Sequence, residues 1–289
     1  MGDETYPFSG SFDADGKTIS NLRISGSKNL GLFGYIKNAT LSNFKVSSAT
    51  ISGSSYMGVL VGYATGSTIK NVYVSGTINS GSYIGGIAGY AQSTKIDRCE
   101  NGAKIGNTSS HYAGGIAGYC ASSHIYNSIN SGSMTGYDCM GGIAGYIDSS
   151  SSVKNCYNDK QFTQGSLYST IGGVVGYNCG TLCACVNNST INGTVQGSWS
   201  SVGCIVGYNN TGATGNYCYF LKYSILNKNF NICGDLDWGT WNNSGAYDAY
   251  GNISSGASAT SMLNQWVNAN STTSMTYRRW SGGFPRFAE

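Results

Sequence analysis

The hexapeptide GGIAGY occurs at residues 85–90, 114–119 and 141–146. Looser copies extend the series: GLFGY at 31–35, GVLVGY at 58–63, GGVVGY at 172–177 and GCIVGY at 203–208. The closing tyrosines, Tyr35, Tyr63, Tyr90, Tyr119, Tyr146, Tyr177 and Tyr208, are separated by 28, 27, 29, 27, 31 and 31 residues. A glycine loop that cradles phosphate occurs once, between a strand and a helix. A glycine unit that returns at a near-constant period instead marks a stack of equivalent structural units, and this outranks any local reading of secondary structure.

A second landmark keeps step with the first. An aliphatic residue precedes an asparagine by two positions at Asn21, Asn43, Asn71, Asn127 and Asn155, while Arg98 and Ala184 stand in the same slot of two further copies. From Asn21 to Ala184 the steps are 22, 28, 27, 29, 28 and 29, so only the first is short. Asparagine tolerates the left-handed backbone region, and its amide can bond to an asparagine in the next unit, so this slot is expected at a corner. At Arg98 and Ala184 a local change in the corner is expected.

Helical repeats need long 3.6-period segments rich in Ala, Leu, Glu and Lys, whereas only 10% of this chain is charged and 43 of its residues are glycine. Its apolar runs are short and broken by Gly, Ser or Asn, the punctuation of strands joined by tight turns. The period is too short for a propeller blade of roughly 40 to 45 residues. It fits one coil of a parallel β-helix. The expected fold is therefore all-β, a right-handed parallel β-helix of seven to eight coils over residues 1–220, with a capping segment over 221–289. At the ordinary strand spacing of ~4.8 Å such a rod would be roughly 35 to 40 Å long.

Stacking turns equivalent positions into ladders. Leu32, Leu60, Ile87, Ile116, Ile143, Val174 and Ile205 form an aliphatic ladder that must face the core; beside it run Phe33, Val61, Ala88, Ala117, Ala144, Val175 and Val206. No coil buries its own apolar face, so stability comes from neighbours and the ends need cover.

The formal net charge of +3 carries no basic run, which argues against nucleic acid as a partner. No apolar stretch reaches the ~20 residues of a membrane helix. No export signal is legible at the start, and one is expected outside this segment. Of the ten cysteines, Cys99, Cys156, Cys185 and Cys218 follow the asparagine slot, where other coils carry Leu22, Phe44, Val72 and Ser128. Side chains in one ladder point the same way, so free buried thiols are expected rather than disulfides. Cys179, Cys183 and Cys185 lack the partners of a zinc site, and His111 and His124 read as surface or turn residues. No cofactor is implied.

At the N-terminus, YPFSGSFDADGKTISNL reads as two strands about an Asp15-Gly16 turn. Asp13 and Asp15 lack the remaining ligands of a calcium loop. Beyond Cys218 the repeat fades into a segment holding Trp238, Trp241, Trp266 and Trp280. There Ser261–Asn268 is expected to form a short helix, N-capped by Ser261, that seals the last coil. Arg278, Arg279 and Arg286 lie among Tyr277, Trp280, Phe284 and Phe287 and read as part of that cap, their stems covering aromatic surface.

The opening FSGSFDADGKTISNLRISGSKNLGLFG and the GGIAGY-type units resemble GLUG-motif repeats, found in bacterial cell-surface proteins and beside the catalytic parts of some IgA-specific metallopeptidases. The resemblance covers roughly residues 6 to 220, and WSGGFPRF resembles the usual end of such regions. It implies an exported β-helix within a larger adhesin-like protein, without a defined activity. The zinc-binding H-E-x-x-H of the peptidases is absent from this sequence.

The expected role is thus a non-catalytic stalk or adhesive rod, secreted or on a bacterial surface, with host glycans or surface proteins as partners. Outward-facing tyrosines, Tyr90, Tyr119 and Tyr146 among them, could stack on sugars, or on one another along the rod. The alternative is a β-helical lyase or glycosidase acting on extracellular polysaccharide, for which two carboxylates at a defined separation are needed. Asp235 and Asp237, with Trp238 and Trp241, are the best candidates, although a solvated loop in the cap accounts for them better. Ice binding would require a recurring Thr-X-Thr ladder, which the sequence lacks.

Overall fold

The computed structural model describes residues 1–79, 81–107, 109–160, 162–164, 170–192, 201–221, 233–236, 240–242, 245–247, 258–273, 275–281 and 286–287; at 164, 192, 221, 233–236, 240–242, 245–247 and 286–287 only the backbone is described. The chain winds as a parallel β-solenoid with three faces. One face stacks eight strands, from Phe33–Lys37 to Cys233–Leu236, and carries the closing tyrosines. A second stacks seven, from Lys28–Leu30 to Ser201–Gly203. The third is a broad 21-stranded sheet to which a single coil gives short segments such as Lys95–Asp97, Glu100–Asn101 and Lys104–Ile105.

The repeat registers follow the sequence period. Tyr35, Tyr63, Tyr90, Tyr119, Tyr146, Tyr177 and Tyr208 are successive strand partners. Leu60, Ile87, Ile116, Ile143, Val174 and Ile205 are all fully buried, as are Phe33, Val61, Ala88, Ala117, Ala144, Val175 and Val206. Full burial of each branched side chain contributes roughly 1.5 to 3 kcal/mol. Leu32, at the open first coil, is only partly buried against this core.

The hexapeptide is the bend between the second face and the tyrosine face. A Cβ on Gly85 would strike the carbonyl of Ala88 within its own coil and would lie 2.7 Å from the Ile116 carbonyl of the next. A Cβ on Gly86 would enter the side chain of Asn101. Both glycines are therefore steric requirements of the turn and of the inter-coil approach.

The asparagine slot is a corner, as its chemistry suggested. Asn43, Asn71, Asn127 and Asn155 have φ of 58°, 54°, 49° and 54°. Asn71 Nδ2 donates to Asn43 Oδ1 at 2.9 Å, and Asn155 Nδ2 to Asn127 Oδ1 at 2.9 Å. The expected change at Arg98 and Ala184 does not occur in the backbone, where φ is 53° and 52°. Neighbouring coils impose the left-handed corner on residues that gain nothing from it. Only the amide ladder is edited: Asn127 donates instead to Asp97 Oδ1 at 2.7 Å.

The short first interval also has a structural cause. Ser20 pairs with Ser47, so Asn21 aligns not with Asn43 but with Ser48, a separate corner whose φ is 54°. Beneath Asn43 sits the Asp13–Gly16 turn, where Asp13 Oδ2 accepts from Asn43 Nδ2 at 2.7 Å and from Ser42 Oγ at 3.0 Å. The two N-terminal strands exist, Ser11–Asp13 and Thr18–Ser20, but both lie parallel on Thr40–Ser52 as rungs of the broad face.

Beyond Cys218 the backbone adds a further rung. Cys233–Leu236, Thr240–Asn242 and Gly245–Tyr247 pair in parallel with Val206–Asn209, Thr214–Asn216 and Tyr219–Leu221. The helix, α1, runs Ala259–Asn270 with Ser258 as its N-cap, three residues earlier than expected. It does not seal the end. Leu263, Trp266 and Val267 of α1 pack with Tyr157, Ala184, Val186 and Tyr219 on the flank of the broad face.

Candidate functional site

Two surfaces gather side chains that could bind something: the tyrosine face and the corner. On the first, seven closing tyrosines stack ring on ring. Centroids are 4.7 Å apart for Tyr35–Tyr63 and Tyr63–Tyr90, 5.0 Å for Tyr90–Tyr119 and 4.4 Å for Tyr119–Tyr146; Tyr146–Tyr177 and Tyr177–Tyr208 follow at 5.2 and 4.7 Å. That spacing is the rise of the solenoid itself, so the stack is set by the backbone.

A second tyrosine ladder locks the first. Tyr56, Tyr83 and Tyr112 stack on one another at 4.9 and 5.0 Å. They meet the first ladder edge-on, as in Tyr56–Tyr90 at 5.7 Å and 83° and Tyr83–Tyr119 at 5.9 Å and 66°. All three have positive φ, of 53°, 58° and 47°, a rare state for an aromatic residue. The second ladder was not singled out in the sequence, although the tripeptides SYM, SYI and HYA recur at its positions.

Burial among these rings holds the phenols protonated. Tyr90 is pushed up to about 12, first by burial and then by Tyr63 and Tyr119. Tyr63, Tyr83, Tyr112 and Tyr119 are raised for the same leading reason. Tyr146 is raised by burial and by its hydroxyl contact with Cys179 Sγ at 3.3 Å. The rings of Tyr90, Tyr119 and Tyr146 are therefore brought together, but into continuous mutual packing that leaves no slots for a sugar between them.

Inside the solenoid run two polar ladders that sequence reading missed. Asn101, Asn130, Asn158 and Asn187 are fully buried and linked head to tail, Nδ2 to Oδ1, at 2.8, 2.8 and 2.9 Å. The spacing of 29, 28 and 29 residues was the available signal. Ser67, Thr94, Ser123 and Ser151 form the other: each of the last three accepts the backbone N–H of the hydroxyl residue one coil before, at 3.4, 3.0 and 3.0 Å. Such satisfied networks rigidify a core and provide no chemistry.

Among the described side chains Cys99, Cys120, Cys156 and Cys185 are buried free thiols, and Cys204 and Cys218 are buried beside them in the stack. Cys156 donates to the Lys154 carbonyl at 3.3 Å and Cys185 to the Cys183 carbonyl at 3.3 Å. Burial pushes Cys99 up to about 12 and raises Cys185 and Cys218 well above the ordinary thiol range. Among the described residues no three His, Cys, Asp or Glu side chains converge as metal ligands would. His124 Nδ1 lies 3.0 Å from Ser152 Oγ and its ring stacks on Tyr126.

Of the acidic candidates, Asp235 takes the register position of Tyr208 on the tyrosine face, and Trp241 that of Gly215 on the broad face, so their strands belong to different sheets. Asp237 and Trp238 lie outside the described residues, as does Phe284.

The corner is where the chain holds a segment of itself. Residues 275–281 form a strap across it. Asn127 Nδ2 donates to the Thr276 carbonyl at 3.2 Å, and Asn127 Oδ1 accepts the Arg278 N–H at 2.8 Å. One coil on, Asn155 Nδ2 donates to the Arg278 carbonyl at 2.8 Å and Asn155 Oδ1 accepts the Trp280 indole N–H at 2.6 Å. The Arg98 guanidinium donates to the Thr276 carbonyl at 2.9 Å. From the other side, Asn264 of α1 bonds both the carbonyl and the N–H of Trp280, at 2.8 and 2.9 Å. The rings of Tyr157 and Tyr126 meet Trp280 and Tyr277 edge-on at 6.1 and 6.0 Å. Sequence reading grouped Tyr277, Arg278, Arg279 and Trp280 but expected them over the end of the rod.

No helix among the described residues is long and apolar enough to cross a membrane. The family model of the GLUG motif matches residues 53–79, one coil that includes GVLVGY and Asn71. No curated protein matches the chain. Among solved structures, an IgA1 protease is similar over 72% of this chain, with a TM-score of 0.58 and 23% identity; the chain spans only 17% of that protein. A Bacteroides ovatus protein provisionally named an immunoglobulin A1 protease is similar over 96% of this chain and 76% of its own, with a TM-score of 0.55 and 20% identity. At such identities the likeness is one of fold. The chain thus carries a GLUG motif on a parallel β-solenoid that solved IgA1 protease structures share.

Proposed function

We propose that this chain is a non-catalytic rod displayed outside a bacterial cell, a stalk within a larger adhesin-like or protease-like protein. The observation that carries the reading is the use made of polar and aromatic side chains. Two interlocked tyrosine ladders, a buried asparagine ladder and a hydroxyl ladder all join one coil to the next. Stiffness along one axis is what such bonding produces, since each coil contacts mainly its neighbours. The GLUG motif and the fold shared with IgA1 proteases support an extracellular setting.

The peptidase activity of those neighbours is not assigned to this segment, whose sequence lacks H-E-x-x-H. Adhesion to host glycans or proteins belongs to the same reading as its finer form. A glycan and host-matrix array, run beside incubation with IgA and with mucin and plant polysaccharides, tests both parts. The rod role expects no new peptide fragments and no new reducing ends. Catalytic release that survives repurification would overturn it, whereas array binding alone would add the adhesive function.

A further inference from the structure

The groove that holds the strap does not stop where the strap stops. Its corner ladder continues past Arg98 to Asn71 and Asn43. Asn71 occupies the register of Asn155, and Tyr73, paired with Glu100, occupies that of Tyr157. The tripeptide Asn71-Val72-Tyr73 thus repeats Asn155-Cys156-Tyr157, which holds the Trp280 side chain. Under the strap Asn127 and Asn155 are fully buried, whereas Asn71 is exposed.

The hydrogen-bond inventory differs in the same way. Asn127 and Asn155 each give one amide hydrogen to the ladder and the other to the strap backbone. Asn71 gives one hydrogen to Asn43 Oδ1 at 2.9 Å, and among the described residues its second hydrogen and its Oδ1 have no protein partner. An open pocket lies here, with Phe44, Lys45, Val72 and Tyr73 among its walls. Phe44 and Val72 give it an apolar floor. Lys45, Arg98 and Glu100 stand in its wall, with Arg98 paired to Asp97, and Lys70 lies beside Asn71, so Lys45 and Lys70 are the cations that face an incoming segment.

We propose that this pocket docks an extended, acidic, tryptophan-bearing segment of a partner polypeptide. The indole enters over Phe44 and Val72, edge-on to Tyr73, and donates to Asn71 Oδ1. A backbone carbonyl of the same segment accepts the open Asn71 Nδ2 hydrogen, and acidic residues beside the tryptophan meet Lys45 and Lys70. This is strand-like capture in which backbone bonds give affinity and one aromatic pocket gives specificity. The site does not depend on the rod role.

The test is fluorescence anisotropy of the whole chain with a fluorescein-labelled peptide, Thr-Glu-Thr-Glu-Trp-Ser. Saturable binding is expected. It should weaken at least tenfold when the peptide tryptophan is replaced by alanine, in Tyr73→Ala, and in Asn71→Gly, which keeps the left-handed backbone while removing the amide. Unchanged circular dichroism and melting of both variants exclude misfolding. No saturable binding, or binding that survives both protein variants, overturns the proposal. So does a concentration-dependent dimer that Tyr73→Ala abolishes, since the occupant would then be a second copy.

Discussion

The indole N–H of Trp280 donates to Asn155 Oδ1 at 2.6 Å, joining two residues 125 positions apart. Trp280 is also buried, at 3% exposure. Trp280→Ala should weaken strap docking by ~3 kcal/mol, or roughly a hundredfold in the docked fraction. Trypsin should then cut faster after Arg278 and Arg279 while the coils stay intact, which mass spectrometry of a digestion time course would show. Unchanged cleavage would mean that the strap is anchored elsewhere.

Asn130 is the middle of the buried ladder. It accepts from Asn101 at 2.8 Å, donates to Asn158 at 2.8 Å, and bonds the Gly132 carbonyl and N–H at 3.1 and 3.2 Å. Asn130→Ala strands several buried polar groups at about 1 to 3 kcal/mol each, so a loss of about 3 kcal/mol is expected in urea unfolding. A loss under 1 kcal/mol would show that water enters and satisfies the ladder.

Two glycines with different neighbours give a paired test. Gly85→Ala must move backbone in its own coil or the next and should cost about 3 kcal/mol or more. Gly16 has φ of 75° but open space for 4 Å around the place a Cβ would take, so Gly16→Asn should stay within ~1 kcal/mol. Melting temperatures of the two variants measure the contrast, and equal losses would contradict the steric account.

The tyrosine face predicts an alkaline limit. Tyr90 is pushed up to about 12 in the folded chain, above the ordinary phenol value near 10. The folded state therefore holds its proton more tightly. The stabilisation is complete below about pH 10 and is lost as pH rises through the folded value near 12. Absorbance at 295 nm should show ladder phenols ionising together with loss of the β signal. Ionisation of every tyrosine near pH 10 with the fold intact would refute this.

Buried thiols should be silent. Burial pushes Cys99 up to about 12 and raises Cys185 and Cys218. Iodoacetamide at pH 8 should leave these three unlabelled in the folded chain and label them in urea, as peptide mapping would report. Rapid labelling before unfolding would count against a closed core.

The coil and its register were legible because they rest on short-range sterics: glycine where a Cβ cannot fit, and asparagine where φ is positive. The corner at Arg98 and Ala184 was misjudged because stacked neighbours hold a backbone that neither residue favours alone. Asn101 and its partners went unread, since nothing local says whether an asparagine points in or out. The strap was the hardest to read. Its residues have no period, and the bonds that place it run to Arg98, Asn127 and Asn155, whose positions are known only after the coils are wound. The candidate Asp235 falls into the tyrosine register by backbone alone, a relation that spacing past Cys218 does not reveal.

Stacked arrays ordinarily come apart like a column of coins, from either tip, because no unit is tied to any but the next. Here the strap and α1 act as a pin through the side of the column. Together they grip residues from Arg98 to Tyr219, so a loosened upper coil cannot drift away without dragging the pin from the coils below. Fraying that begins at the upper tip meets a mechanical stop partway along, and the pinned coils should yield to heat or force as one block.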